Sequence, residues 1–201
     1  MSKARDIGTA AETGFVDLLK KSGWPTAERR QLSGRFDKGD VNSGHPELCF
    51  EVKGGKNYRI PEWLRETETE RVNAGAVWGF LIVKAKGVGY PNAGKWWAIS
   101  TKDQWDTFQE IHKNALAGTA LEYLNTTVRK HTIPQAMMQA QATRSARMEM
   151  EGIEGWEALQ WYTGVWFTGW GNCEDYFVTR VDFLLDMLIR CGFATDQGGA
   201  K

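Results

Sequence analysis

The chain is poor in cysteine: Cys49, Cys173 and Cys191 are all it has among 201 residues. Three thiols cannot all pair and none forms a CxxC, which fits a reducing cytosol better than a disulfide scaffold. Net charge is also lacking, since Lys plus Arg and Asp plus Glu stand at 25 each. No global basic signal exists, and any binding of nucleic acid has to rely on positive charge gathered locally. No run of about 18 apolar residues occurs, so no membrane span is expected. The segment Met1 to Asp6 has no apolar h-region and does not read as a signal peptide. There is no repeat at solenoid periods and no true low-complexity tract, only an Ala/Gln/Met-rich stretch around Ile133 to Ala142.

What is present suits a packed globular protein. The hydrophobic fraction is 42%, which argues against wholesale disorder. The chain divides near Lys113. Residues 1–112 hold 17 basic and 15 acidic residues, and residues 113–201 hold 8 and 10. The first part reads as helix, strands, helix, strand, strand, helix. The second reads as a mainly helical extension. The expected class is therefore α/β, with a helical, Trp-rich C-terminal part that caps a substrate or joins subunits.

A first helix is expected from about Asp6 to Lys21, because Ile7, Ala11, Phe15 and Leu18 recur at helical spacing. Glu12 sits at the margin of that apolar face, either pointing along whatever the helix covers or simply solvated. Gly23 should stop the helix.

The informative segment is Gly34 to Gly55, GRFDKGDVNSGHPELCFEVKGG. Its punctuation predicts a short strand or turn at Gly39-Asp40-Val41 and a strand at Glu47 to Lys53. Along the second strand Leu48, Phe50 and Val52 face one way, while Cys49, Glu51 and Lys53 face the other. Glu51 and Lys53 are then neighbours on one sheet face, as an ordinary strand pair would also be. The chemistry of phosphodiester cleavage asks for more: charge stabilisation at the phosphate and an activated water. Hard Mg²⁺ takes oxygen ligands, commonly one or two carboxylates with water and phosphate oxygen. Asp40 and Glu51 can supply the carboxylates from adjacent strands, and the Val52 carbonyl a third oxygen. Lys53 can orient or deprotonate the water or offset charge on phosphate oxygens. Glu12 can hold a metal-bound water or a second ion.

The order Ala11-Glu12 on a helix, Gly39-Asp40, then Glu51-Val52-Lys53 on a strand resembles the PD-(D/E)XK nuclease superfamily, nearest to the Holliday-junction resolvase-like enzymes of archaea and phages. Ten residues lie between Asp40 and Glu51, and the helical PEWLRETETERVNAG and apolar AVWGFLIVKA follow in the expected order. The resemblance covers roughly residues 6–112, with Gly39 where the superfamily name has Pro. It implies a restriction-endonuclease-like αβββαβ core with a central mixed sheet. It further implies a Mg²⁺-dependent, structure-selective DNA endonuclease, with Mn²⁺ able to substitute. Catalytic Glu12, Asp40, Glu51 and Lys53 and metal-binding Asp40, Glu51 and Val52 would carry the reaction. Branched DNA is the implied partner, a homodimer would suit its two strands, and the host cytoplasm is the setting if the protein is phage-encoded. An exonuclease, a restriction-like enzyme, or a catalytically idle DNA- or protein-binding module are the competing readings.

Other residues compete for these roles. Asp37 is the alternative to Asp40, but reads better as part of a turn. Glu62, Glu66 and Glu70 share one helix face at i, i+4, i+8 and read as a solvated stripe paired with Arg65 or Arg71, or as assistants to the metal. His45 reads as an exposed loop histidine. Arg29, Arg30, Arg35, Lys38, Lys56 and Arg59 flank the site and are candidate phosphate contacts, with Lys84 and Lys86 extending the track. Ten Trp are present, and their rings suit either base stacking or a core. Phe177, Val181, Leu184 and Leu188 form a wide apolar face on an expected helix from Tyr176 to Cys191, which needs burial in the chain or in a dimer.

Overall fold

The computed structural model describes residues 3–30, 37–55, 57–112, 164–167 and 175–194, with the backbone alone at 3–4 and 164–167. Helix α1 (Lys3–Lys21) is followed by strands β1 (Glu28–Arg29), β2 (Val41–Asn42) and β3 (Leu48–Lys53). Helix α2 (Ile60–Ala74) leads to β4 (Trp78–Val83), a 3₁₀ turn (Tyr90–Lys95) and β5 (Trp97–Thr101). Residues 102–112 are helical and are called α3. After them come β6 (Gly164–Phe167), β7 (Tyr176–Arg180) and α4 (Val181–Arg190).

The strands form one seven-stranded sheet in the order β1-β2-β3-β4-β5-β7-β6. β3 and β4 are parallel, from Leu48 opposite Trp78 to Lys53 opposite Val83, and the other pairings are antiparallel. The sheet is thus mixed, and the molecule is α/β. A parallel pair needs a crossover, which α2 provides. Pro61 suits the first turn of that helix, and Gly75 closes it with its N–H donated to the Val72 carbonyl.

β4 (WGFLIV) is buried along its whole length, as a strand covered on both faces must be. On one side of β3, Phe50 meets Phe15 of α1 at 5.2 Å and stacks on Phe80 of β4 at 5.9 Å. α1 buries Ala11, Phe15, Val16 and Leu19, so its inner face lies slightly round from the expected one, with Ile7 and Leu18 only half-buried. Trp105 and Phe108 of α3 continue this core against Phe177 (4.2 Å) and Trp78 (5.1 Å). Trp24 is buried and its indole N–H reaches the Phe193 carbonyl, tying the end of α1 to the segment after α4. Trp24, Trp63, Trp78, Trp96, Trp97 and Trp105 are all core residues, which removes them as base-stacking platforms. The side chains of Trp156, Trp161, Trp166 and Trp170 lie outside the described residues.

The C-terminal part departs from expectation. Where it is described it is not mainly helical: Tyr176–Arg180 is a strand, and the helix begins only at Val181. β7 pairs with β5 from Trp97–Arg180 to Thr101–Tyr176 and β6 pairs with β7, so residues 164–167 and 176–180 extend the same sheet. The physical reason is that β7 is buried through Tyr176, Phe177, Val178 and Thr179, and a short apolar run carries no period that tells strand from helix. The spacing from Phe177 to Val181 spans a strand–helix junction. Phe177, Val181, Leu184 and Leu188 are each fully buried within the chain. That face calls for no second copy, and the case for a homodimer built on it falls away. Residues 113–163 and 168–174 lie outside the described residues.

Leu184→Ala should cost about 2–5 kcal/mol of stability, since a fully buried leucine leaves a cavity. Urea unfolding with light scattering checks this: a large loss at unchanged mass supports the intrachain core, whereas a small loss with a drop in mass would place Leu184 at a subunit interface.

Candidate functional site

Strand alternation puts Glu51 and Lys53 on the face of β3 opposite Phe50, toward α2. There the Lys53 ammonium lies 2.6 Å from Glu51 Oε1 and 2.7 Å from Glu66 Oε2. The Glu51 side chain is only 5% exposed. The Glu70 and Asp40 carboxyls crowd against it. Asp40 arrives from the neighbouring strand. Val41 faces Phe50 in the antiparallel ladder, and continuing that register sets Asp40 opposite Glu51. Its Oδ2 accepts the Val52 N–H at 2.9 Å, and its carbonyl accepts the Arg30 N–H at 2.8 Å.

Two glycines allow this approach. Gly39 has φ +85°, and a Cβ there would stand 2.8 Å from the Phe50 carbonyl oxygen and 2.9 Å from Cys49 Sγ. Any side chain before Asp40 would push its carboxylate away from β3. A Cβ on Gly54 would stand 2.9 Å from the Ile7 carbonyl oxygen, so glycine lets α1 cross the end of β3 and bring Glu12 near.

The electrostatics follow from crowding acids in a dry place. Burial first, then the Glu51 charge, pushes the Asp40 pKa up to about 8. Burial first, then the adjoining Glu70 carboxyl, pushes Glu51 up to about 8 despite the pull of Lys53. Glu70 is raised mainly by burial. Lys53 moves the other way relative to charge: burial opposes its ionised form, but Glu51 and Glu66 outweigh burial and hold the ammonium above its usual range. The two partners of the Lys53–Glu51 pair therefore differ, because Lys53 faces two carboxylates while Glu51 must share one lysine. In this setting the two carboxylates hold Lys53 in its cationic form.

The remaining expected residues fall unevenly. Glu12 reaches the neighbourhood of Asp40 and adds to its repulsion, but Arg29 Nε donates to it at 2.7 Å. Arg29, itself exposed, is thus paired with Glu12. Arg59 pairs with Glu62 at 2.9 Å, Lys38 is exposed, and Arg30 is half-buried beside Cys49. Lys84 Nζ lies 5.3 Å from the centre of the Tyr90 ring. Arg35 and Lys56 lie outside the described residues. Asp37 lies outside any helix or strand, with its carboxylate accepting the Lys38 N–H. His45 is not a free loop histidine: its Nδ1 accepts the Glu47 N–H and its ring packs on Phe193 at 5.0 Å.

Glu66 and Glu70 are the main correction. They are not a solvated stripe paired with arginines: Arg71 pairs with Glu68, Glu66 with Lys53, and Glu70 with Glu51. The signal was available in the i, i+4 spacing, because a helix following β3 that turns a carboxylate stripe inward meets the polar side of that strand.

Among the described residues, no group of three or more His, Cys, Asp or Glu is arranged to hold a metal ion unaided. A hard divalent cation needs less, since Mg²⁺ commonly takes one or two carboxylates and completes its shell with water and phosphate. Asp40 and Glu51 fit that part as all-oxygen donors crowded beyond what Lys53 neutralises, an excess of negative charge that a cation would relieve. Comparison of the chain with protein-family models, curated proteins and solved structures gave no match.

The raised carboxyls imply a pH dependence. A group whose folded pKa is raised adds stability that is whole below its unfolded pKa, about 4. That stability disappears as pH rises through the folded value, here about 8 for Asp40 and Glu51. His112, lowered mainly by burial, acts in the opposite sense at the acid end. Above about pH 6.5, stability without divalent cations should therefore fall toward pH 8.5, and Asp40→Asn should flatten the fall. Urea midpoints across that range decide it; a wild-type stability that climbs with pH would refute the crowded-acid picture.

Proposed function

We propose that the chain is a metal-dependent DNA nuclease of the PD-(D/E)XK type, acting on branched DNA. The observation that carries this reading is the meeting of Asp40 and Glu51 from adjacent strands, with the Lys53 ammonium 2.6 Å from Glu51. The element order α1, β1, β2, β3, α2, β4 supports it, since an αβββαβ core has the same order.

Asp40 and Glu51 would hold Mg²⁺, with the Val52 carbonyl close by on the same strand. When bound, the ion would polarise a phosphate and lower the pKa of a water. Asp40 is oriented for this by the Val52 N–H at 2.9 Å. Lys53, kept cationic, offsets negative charge developing on phosphate oxygens. Glu12 stands at the rim, held by Arg29. Exposed Lys38 and half-buried Arg30 are candidate phosphate contacts that would position the strand without reading sequence, with Arg29 and Arg59 available once released from Glu12 and Glu62. Symmetric cutting of a junction would call for two such sites, in a dimer joined elsewhere than through the buried C-terminal face.

The competing reading is a binding module with an idle site. Cleavage of junction, flap, duplex and single-stranded DNA, with Mg²⁺, Mn²⁺ or chelator, separates the two. Wild type should cut a branched substrate only with metal. Asp40→Asn and Glu51→Gln should each lower the rate by a factor of roughly 10² or more while the protein stays folded. Cutting that survives both substitutions would sink the mechanism. Binding of DNA without cutting under any condition would support the idle module, and preference for ends or plain duplex would point to the exonuclease or restriction-like forms.

A further inference from the structure

We infer that Glu66 is a positioning residue for Lys53, holding the ammonium at the site when Glu51 is engaged elsewhere. The inference rests on the nuclease reading of Asp40, Glu51 and Lys53. Two carboxylates clamp the Lys53 ammonium, and they come from different elements: Glu51 from β3 at 2.6 Å and Glu66 from α2 at 2.7 Å. Glu51 is 5% exposed and Glu66 40%, so the cation is held from the interior on one side and from the solvent margin on the other.

The clamp is built rather than incidental. Lysine carries a compact, strongly hydrated charge on a flexible stem, and without a fixed partner its head group drifts toward water. Lys53 is the last residue of β3, followed directly by Gly54 and Gly55, so the chain beyond it contributes no side chain to restrain it. The rotation of α2 is set by buried Ile60, Trp63, Leu64 and Thr67, which fixes the direction in which Glu66 points. Its neighbours on the same face are otherwise occupied, Glu62 with Arg59 and Glu70 with Glu51.

Consider the site at work. Were Glu51 to share its carboxylate with a metal ion, its hold on Lys53 would weaken, and Glu66 would remain to keep the ammonium at the site. Glu66 itself carries negative charge at the solvent margin and has no attraction for DNA. Its effect therefore passes through Lys53, on turnover rather than on binding.

Three variants test this: Glu66→Gln, Lys53→Gln and the double substitution, each assayed for kcat and KM on the DNA that wild type cuts. Glu66→Gln should lower kcat by about tenfold with KM unchanged or lower, and Glu66→Asp should recover part of the loss. The double variant should be no slower than Lys53→Gln alone, because the effect of Glu66 needs Lys53. Additive losses, or a Glu66→Gln enzyme as fast as wild type beside an inactive Lys53→Gln, would overturn the inference and leave the nuclease reading standing. A second measurement does not depend on turnover. The ¹H–¹⁵N signal of the Lys53 ammonium should be sharp in wild type and broadened by water exchange in Glu66→Gln. If wild type cuts no DNA, the nuclease reading fails and with it the catalytic role of Glu66, while an ammonium signal unaltered in Glu66→Gln overturns the clamp itself.

Discussion

Glu51 sits within a buried strand with its carboxylate nearly out of water, and most of the polar architecture of the molecule answers to that single placement. An isolated ionised carboxylate in such a position costs several kcal/mol. The chain meets this in two ways. Lys53, two residues on and therefore on the same face, supplies the opposite charge. Asp40 and Glu70 crowd against Glu51, which favours retaining protons among the three acids. Neither solution is complete, and the three acids stay crowded around one lysine. The glycine at position 39 belongs to the same arrangement, because only an absent side chain lets the Asp40 strand press against Phe50.

The two faces of β3 divide the labour between stability and chemistry. Toward α1, Phe15, Phe50 and Phe80 pack as a continuous aromatic layer. Toward α2, the same strand offers Glu51 and Lys53 to Glu66 and Glu70. The apolar layer holds the strand rigid, so the polar groups opposite keep their spacing without a loop to position them. The parallel pairing of β3 with β4 adds to this. The Lys84 N–H closes onto the Lys53 carbonyl, and both strands end side by side where open α/β sheets commonly receive ligands.

Much of this was legible in the chain. The alternation from Leu48 to Lys53, the helical spacing of Ala11 and Phe15, and the apolar run from Trp78 to Val83 each state their own structure, because the period of burial is a local property. Asp40 over Asp37 could also be chosen locally, from Gly39 before it and Val41 after it. What misled was a buried run with no period. Tyr176–Arg180 is buried on both sides and resembles the first turn of a helix, although it is the strand that pairs with β5.

By itself the sequence determined the element order of the first half, the polar face shared by Glu51 and Lys53, and the meeting of that face with a carboxylate delivered by Gly39-Asp40. These depend on spacing along one strand and its next neighbour. Only the tertiary structure decided the partners of each charge. Arg29 goes to Glu12, Glu66 to Lys53 and Glu70 to Glu51, and His45 lies against Phe193. An ion pair forms with whichever opposite charge the packing of the helices brings within about 4 Å. The rotation of α2 over β3 is set by the fit of Trp63, Leu64 and Thr67 into the core, a quantity that no stretch of sequence holds alone.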